Sequence, residues 1–168
     1  MEWLWHVDDD DLSLGRVERS DAHARGLRHR SGIVFLLDAR GHVYLTSRSR
    51  DKAIFPGMHD ASASFHVAWG ESYAEAAQRE AAEELGLHAP LCWVGKLAHD
   101  DPPESQIVAV FVMRHAGEAI TLDPREASGG AFRSLAELAR VVRDEPCTPW
   151  LRDGSALLLD WMRTQGGR

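Results

Sequence analysis

The stretch Phe65–Leu87, FHVAWGESYAEAAQREAAEELGL, decides the predicted fold. Its second half predicts a helix with both ends specified. Ser72 and Glu75 form a capping box at the start, and Gly86 stands where a left-handed C-terminal cap belongs. Small and aliphatic side chains recur on one side and predict a face that packs on a sheet: Ala74, Ala77, Ala81 and Leu85.

Three carboxylates share the other side of this helix. Glu80, Glu83 and Glu84 stand at positions i, i+3 and i+4, which makes them neighbours on the helix surface. Carboxylates stacked in this way repel one another, and a hard divalent cation with oxygen ligands would stabilise them. A solvated acidic face is the alternative interpretation, because alanine- and glutamate-rich helices are common. That alternative does not explain the spacing of the acids relative to Arg79 and Gly86.

The spacing resembles the Nudix box, G-x5-E-x7-R-E-U-x-E-E-x-G-U, in which U is an aliphatic residue. The matching positions are Glu71, Arg79, Glu80, Glu83, Glu84, Gly86 and Leu87. Two positions depart from the pattern: Ala81 is a weak aliphatic residue, and Phe65 stands where the box begins with glycine. The resemblance implies the Nudix fold and a metal-dependent site on this helix.

Apolar runs around the box predict a buried sheet. Ile33–Leu37 and Ile107–Met113 are typical of strands buried on both faces, and Leu91–Leu97 is a further predicted strand. Two more helices are predicted near the C-terminus, over 134–142 and 155–163. Strands mixed with helices on separate faces predict an α/β (α+β) fold, a three-layer α/β/α sandwich with a mixed β-sheet, which is also the fold that the resemblance implies.

The polar segments are predicted to be loops. His99–Glu104 and 121–130 separate predicted elements, and a short strand is expected to restart at Phe132. Residues 1–30 are rich in charge and predict an exposed loop or surface helix. The chain is predicted to be a single domain over 1–168, with residues 1–30 as an N-terminal extension that packs on it.

Composition limits the function classes. The 168 residues are 44% hydrophobic, enough for one domain with a substantial core. The formal net charge of −7 argues against nucleic acid as a partner. The two cysteines, Cys92 and Cys147, have no metal-ligand spacing, and a reducing, cytoplasmic location is expected. We expect neither a signal peptide nor a membrane partner, and the oligomeric state stays open between a monomer and a homodimer.

Two basic groups are candidates for binding an anionic ligand. Arg28 and Arg30 close the charged N-terminal segment, and Arg48 and Lys52 lie in the loop ahead of the acidic helix. A solvated surface is the plain interpretation of both groups. As a functional interpretation, arginine binds phosphate oxygens as a fork and lysine as a point charge, so all four residues are predicted to contact the substrate.

Further positions resemble the branch of Nudix proteins related to isopentenyl diphosphate isomerase. The positions that match are Gly26 to Arg30, Arg48, Lys52, Phe55-Pro56-Gly57, Asp60, His66 and Gly70-Glu71-Ser72. This resemblance implies that Arg48 and Lys52 contact a diphosphate. It also implies a second metal site at His66, with His23 and His29.

The catalytic cysteine of those isomerases is matched here by Ser64. A serine hydroxyl has a pKa far above that of a thiol and does not simply replace it. The isomerases also depart from the Nudix glutamates, whereas Glu80, Glu83 and Glu84 are present here. Hydrolysis of a diphosphate linkage is therefore the leading prediction. An isopentenyl diphosphate isomerase and a catalytically weak ligand-binding protein are the alternatives.

The resemblance implies a role for each box residue. Glu80, Glu83 and Glu84 would hold Mg²⁺, with Mn²⁺ as a substitute, and a backbone carbonyl of Ser64 or Phe65 would complete the ligand set. The remaining members of the predicted site orient these ligands or supply the base. Arg79 and Glu71 would fix the rotamers of the metal ligands. The general base would be a box glutamate or Glu126, with Glu104 behind it.

Phe65 is the main departure from the box, and two consequences are open. If the box glycine is needed for a left-handed backbone conformation, phenylalanine costs about 1–2 kcal/mol there. If the glycine keeps space open for the substrate, Phe65 narrows the pocket or supplies a stacking face. In either case the backbone carbonyl is retained, so metal binding is still expected.

Overall fold

β3 (His29–Leu37) is the strand around which the sheet is built. It pairs antiparallel with β1 (Trp3–Val7), β4 (Val43–Arg48) and β6 (Ala63–His66). It pairs in parallel with β8 (Glu104–Arg114). It has neighbours along both edges, and its apolar run is buried on both faces, as the sequence predicts, because helices pack on each side of the sheet.

The structure is a computed structural model that describes residues 1–102 and 104–165. The other strands are β2 (Ser13–Glu18), β5 (His59–Asp60), β7 (Leu91–Asp101) and β9 (Ala127–Arg133), and the helices are α1 (Arg19–Arg25), α2 (Tyr73–Leu85), α3 (Leu135–Asp144) and α4 (Pro149–Gln165). All the strands join one mixed sheet. None of the helices within the described ranges combines the length and the apolar character needed to cross a membrane.

Helices cover the sheet on both faces, which confirms the predicted three-layer α/β/α arrangement. On one face, α2 packs against the even-numbered side chains of β3, such as Val34 and Leu36. On the opposite face, α3 and α4 pack against the odd-numbered side chains Ile33, Phe35 and Leu37. The alternation of side chains along a strand therefore assigns each β3 residue to one of two cores.

The box helix begins and ends as predicted. The Ser72 hydroxyl accepts a hydrogen bond from the backbone N–H of Glu75, and Gly86 adopts a left-handed conformation with φ 70°. The predicted packing face is wrong at one position, because Ala74 is exposed and Ala76 is buried instead. Helical periodicity gives the direction of a face but not the point along the axis where the helix meets the sheet.

Residues 1–30 include β1, β2 and α1, so the expectation of an exposed loop or surface helix is confirmed for α1, in which Ala22 is the buried residue, and is wrong for the two strands. β1 and β2 pair with each other, and β1 also meets β3 through the His6–His29 pair. Trp5 Nε1 donates a 2.9 Å hydrogen bond to the backbone carbonyl of Glu71, just ahead of α2. The N-terminal strands therefore contact the segment that leads into the box helix.

Two predicted loops are shorter than expected, because neighbouring strands extend into them. β7 continues to Asp101 and β8 begins at Glu104, so most of the predicted loop 99–104 is strand; residue 103 lies outside the described residues. β9 begins at Ala127 rather than at Phe132. In both cases pairing with a neighbouring strand overrides the local preference of Asp, Pro and Gly for turns.

Phe65 has an extended backbone within β6 and no positive φ, so the predicted cost of a left-handed conformation does not arise. Its ring is 7% exposed and packs in the core beneath α2. Gly32 lies directly opposite on β3, and a Cβ added there would lie only 2.6 Å from Phe65 Cζ. The ring therefore occupies space that only a glycine on β3 leaves free.

We expect Gly32→Ala to destabilise the protein by roughly 1–3 kcal/mol, because the new methyl group forces the Phe65 ring out of its position. The measurement is the free energy of unfolding in urea. In a Phe65→Ala background the same Gly32→Ala change should cost clearly less, since the ring is gone.

Gly129→Ala is the matched control, because a Cβ at Gly129 meets nothing within 4 Å. Its effect should lie near zero. Equal destabilisation by both alanine substitutions, or an unchanged cost of Gly32→Ala in the Phe65→Ala background, would contradict the packing argument.

Candidate active site

A cavity that is partly open to solvent lies where β3, β6 and β8 meet the loop after β4 and the first turn of α4. Its walls combine cations with apolar and uncharged polar groups. The cations are Arg19, Arg48 and Lys52, the apolar groups include Ile33, Ile54, Val108 and Trp150, and the polar groups include Ser31, Ser64, His66 and Gln106. Three cations around one cavity favour an anionic ligand.

The two predicted diphosphate contacts, Arg48 and Lys52, both line this cavity. Arg48 ends β4 and is only 8% exposed, so it does not belong to a solvated loop. Its Nη1 lies 2.8 Å from the buried carboxylate of Asp60. Lys52 forms an ion pair with Glu126. Each cation is thus held at the cavity by a carboxylate that the sequence pattern did not connect to it.

Arg79 ties together three of the box carboxylates. Its Nε and Nη2 donate to the two oxygens of Glu71 at 2.7 and 2.9 Å, and its Nη1 donates to Glu80 at 2.6 Å. Glu83, one turn further, is exposed and lies 3.5 Å from Nη1. The hydrogen bonds from Arg79 lower the pKa of Glu71. Glu71 therefore stays ionised and faces Arg79, in keeping with an orienting role.

Glu84 is the box acid whose negative charge is least offset by neighbouring cations and hydrogen-bond donors. Burial raises its pKa well above the ordinary value, and the charges of Glu80, Glu126 and Asp60 raise it further. A backbone N–H from Ser64 opposes this shift only in part. Burial raises the pKa of Glu80 as well. A divalent cation with oxygen ligands fits this group of acids, because it would offset both the burial and the mutual repulsion.

Glu126, the predicted general base, lies in the loop ahead of β9 and reaches the same place. Its backbone carbonyl accepts a 2.8 Å hydrogen bond from the N–H of Ser49, and its carboxylate pairs with Lys52. Its charge also acts on Glu80 and Glu84. The loop after β4 and the loop before β9 therefore meet between the cavity and the acids of α2.

A second group of ligands converges beside the cavity. His23 from α1, His29 from β3, His66 from β6 and Glu104 from β8 have ligand atoms that all lie within 4.8 Å of one another. The three imidazole rings are 5.1 to 5.2 Å apart, measured between centroids. The structure thus brings together the three histidines that the sequence analysis grouped. We call this set, with Glu104, the histidine cluster.

The histidine cluster fits a metal ion by its protonation as well as by its spacing. His29 Nδ1 lies 2.9 Å from the carbonyl of Leu27, and His23 Nδ1 lies 2.7 Å from Glu104 Oε1. Each Nδ1 is therefore assigned the proton, which leaves a lone pair on the buried Nε2, for which the described part of the chain offers no hydrogen-bond partner. Burial lowers the pKa of His29 and of His66, so both stay neutral, as a metal ligand must.

Glu104 was also a candidate for the general base. It is 3% exposed, and its second oxygen accepts a hydrogen bond from Gln106. Its partners therefore assign it to the histidine cluster rather than to the acids of α2. The register of the sheet explains the placement, because β3 and β8 run parallel with His29 opposite Gln106.

The predicted contacts Arg28 and Arg30 lie elsewhere. Arg28 pairs with Asp100 at 2.6 Å. Arg30 pairs with Asp11 at 2.7 Å and stacks over the Trp5 ring at 4.8 Å. Alternation along β3 turns Arg30 away from the face that carries the cavity. Among the described residues, the cations that line the cavity are Arg48, Lys52 and Arg19. Arg19 was not predicted, because it belongs to no motif recognised in the sequence.

The NUDIX domain family matches residues 27–151 of the chain. An uncharacterized Nudix hydrolase of Streptomyces coelicolor is 38% identical over 163 residues, 95% of this chain and 90% of that protein. Isopentenyl-diphosphate Delta-isomerase 1 of Photorhabdus laumondii is 28% identical over 162 residues, 90% of this chain and 92% of that protein. The crystal structure of DR0079 from Deinococcus radiodurans has a TM-score of 0.76 and 26% identity, over 90% of this chain and 96% of that one. This chain therefore belongs to the Nudix family.

Proposed function

We propose that this protein is a divalent-metal-dependent hydrolase of diphosphate linkages, acting on a nucleoside diphosphate derivative or another organic diphosphate. The observation that supports this most is the position of Glu84, buried among other acids beside a cavity lined by Arg48 and Lys52. Such a site binds a divalent cation and an anion together. Mg²⁺ is the expected ion, with Mn²⁺ as a substitute, because both prefer oxygen ligands.

The box residues would hold the metal. Glu80, Glu83 and Glu84 supply carboxylates, and a backbone carbonyl of Ser64 or Phe65 supplies a further oxygen. When bound, the ion neutralises charge on the diphosphate oxygens. The fork of Arg79 on Glu71 would keep the carboxylate of Glu80 in place, since Arg79 contacts both.

In the reaction, the oxygen of a water molecule forms a bond to one phosphorus, and the bridging P–O bond breaks so that the bridging oxygen leaves with the second phosphate. Glu126 would accept the proton of the water, with the box acids Glu80 and Glu83 as the alternative bases. Arg48 and Lys52 would bind the non-bridging oxygens. Since Lys52 pairs with Glu126, the arriving diphosphate would compete for the lysine and free the carboxylate.

An isopentenyl diphosphate isomerase is the second candidate, supported by the histidine cluster and by the relatives with that name. Protonation of a double bond requires a proton donor in the cavity. Ser64, at the matching position of the isomerase cysteine, donates its hydroxyl proton to the buried Asp60 at 3.0 Å. This contact argues against Ser64 as the proton donor to a double bond. The third candidate, a catalytically weak binding protein, rests on Phe65 alone. Because the Phe65 ring packs in the core, it gives that candidate little support.

The test is a panel of nucleoside diphosphate derivatives and prenyl diphosphates, incubated with and without Mg²⁺. We expect phosphate-containing products from at least one compound only when the metal is present. Double-bond isomerisation without hydrolysis would favour the second candidate. Binding without turnover of any compound would favour the third.

We expect Glu84→Gln to have opposite effects on the metal-free and metal-bound protein. Because the pKa of Glu84 is raised from the ordinary value of 4.5, its contribution to stability is present below that pH and is lost as the pH rises through the folded-state pKa. At pH 7.5 without metal, the variant should be more stable than the wild type, by about 1–3 kcal/mol. Thermal unfolding with and without Mg²⁺ measures this.

The same variant should lose the stabilisation by Mg²⁺ and at least ~100-fold of any hydrolytic rate. Glu118→Gln is the control, since it removes the same charge from an exposed turn. A Mg²⁺-induced shift that survives Glu84→Gln would refute the assignment of the metal site.

The histidine cluster should bind a metal independently of α2. Its nitrogen-rich ligand set favours Zn²⁺ or Mn²⁺ over Mg²⁺. We expect His29→Asn to weaken Zn²⁺ binding by at least ~10-fold in a chelator competition, whereas Glu84→Gln leaves it unchanged. His88→Asn, at an exposed position, is the control. Equal Zn²⁺ affinity in the wild type and in His29→Asn would refute the assignment of the histidine cluster as a metal site.

A further inference from the structure

One buried carboxylate behind the cavity wall, that of Asp60, gathers side chains from three separate elements. Asp60 belongs to β5 and is 2% exposed. Its partners are Arg48 Nη1 at 2.8 Å, Ser64 Oγ at 3.0 Å, Thr148 Oγ1 at 2.9 Å, Trp150 Nε1 at 2.7 Å and the backbone N–H of Ala61 at 2.8 Å. Arg48, Ser64 and Trp150 all line the cavity. Asp60 therefore acts on the cavity through its neighbours.

The contact with Asp60 fixes the orientation of the Arg48 guanidinium. Nη1 is bound to Asp60, and Nε lies 3.3 Å from the carbonyl of Ile54. A guanidinium has five N–H groups in one plane, so two fixed directions determine where the remaining ones point. A guanidinium held in advance loses less side-chain entropy when it binds an anion.

The contact with Asp60 also determines whether the Ser64 hydroxyl donates or accepts hydrogen bonds towards the cavity. Its single hydroxyl proton is directed at Asp60, so the oxygen presents lone pairs to the cavity. Arg48 Nη1 approaches that oxygen at 3.5 Å. Ser64 is therefore an acceptor towards a ligand, while Arg48 supplies the donors.

Two further hydrogen bonds connect the start of α4 to the carboxylate of Asp60. Trp150 Nε1 and Thr148 Oγ1 both donate to Oδ1 of Asp60, whereas Arg48 and Ser64 donate to Oδ2. The two oxygens thus serve different walls of the cavity. An asparagine at this position would keep an acceptor for one pair of donors and present an N–H to the other pair.

We propose that Asp60 is a positioning residue that presets the anion-binding wall of the cavity by orienting Arg48. This inference rests on the proposed function, in which Arg48 binds a diphosphate. It assigns to Asp60 a contribution to ligand affinity that is separate from its contribution to stability. Thr148 offers the comparison, because it shares the carboxylate but does not belong to the cavity wall.

The probe is methylenediphosphonate, a diphosphate analogue without a cleavable bridging oxygen, titrated into the full-length protein with Mg²⁺ in a calorimeter. We expect Asp60→Asn to weaken its affinity by roughly 10-fold or more. Thr148→Val should leave the affinity unchanged while lowering the melting temperature. Lys52→Ala, which leaves Asp60 untouched, reports whether the cavity binds the probe at all.

The outcomes separate the inference from the function on which it rests. If the wild type binds no probe, or Lys52→Ala binds as well as the wild type, the diphosphate site itself is refuted. If the wild type binds and Asp60→Asn binds equally well, the positioning role is overturned. Equal losses of affinity in Asp60→Asn and Thr148→Val also overturn it. Asp60→Ser is the second variant, and a failure of both Asp60 variants to fold while Thr148→Val folds would make Asp60 a folding residue only.

Discussion

Uncompensated negative charge at the buried end of α2 is the constraint on which the site depends. Arg79 neutralises Glu71 and Glu80, but no basic residue occupies the last turn, where Glu84 also meets the negative end of the helix dipole. Lys52, a cation of the cavity wall, is already paired with another acid, Glu126. Burial and the neighbouring acids therefore oppose ionisation of Glu84, and a bound cation would offset both effects.

β6 connects the two groups of candidate ligands. It is four residues long, and it gives a backbone N–H to Glu84 from Ser64 and an imidazole to the histidine cluster from His66. One group is made of carboxylate oxygens and the other mainly of imidazole nitrogens. Ligand sets of such different chemistry select different metals, even when they border the same cavity.

Local features were predictable from the sequence, and features made by pairing distant strands were not. The capping box at Ser72 and the cap at Gly86 follow from residues a few positions apart, so the box helix was placed correctly. The burial of Arg48 against Asp60 depends on β4 meeting β5, and no local pattern reports that. Likewise, the sequence around Glu104 predicts a loop, and its placement beside the histidines depends on the pairing of β8 with β3.

The contact between Phe65 and Gly32 has a consequence for strand register. Side chains of β6 alternate, so a slip by one residue would turn Phe65 out of the core beneath α2 and move Ser64 and His66 into that core. In the observed register the Phe65 ring lies opposite Gly32, where an added Cβ would collide with it. Packing of the Phe65 ring on the apolar face thus favours the alignment in which the Ser64 hydroxyl and the His66 imidazole face the cavity.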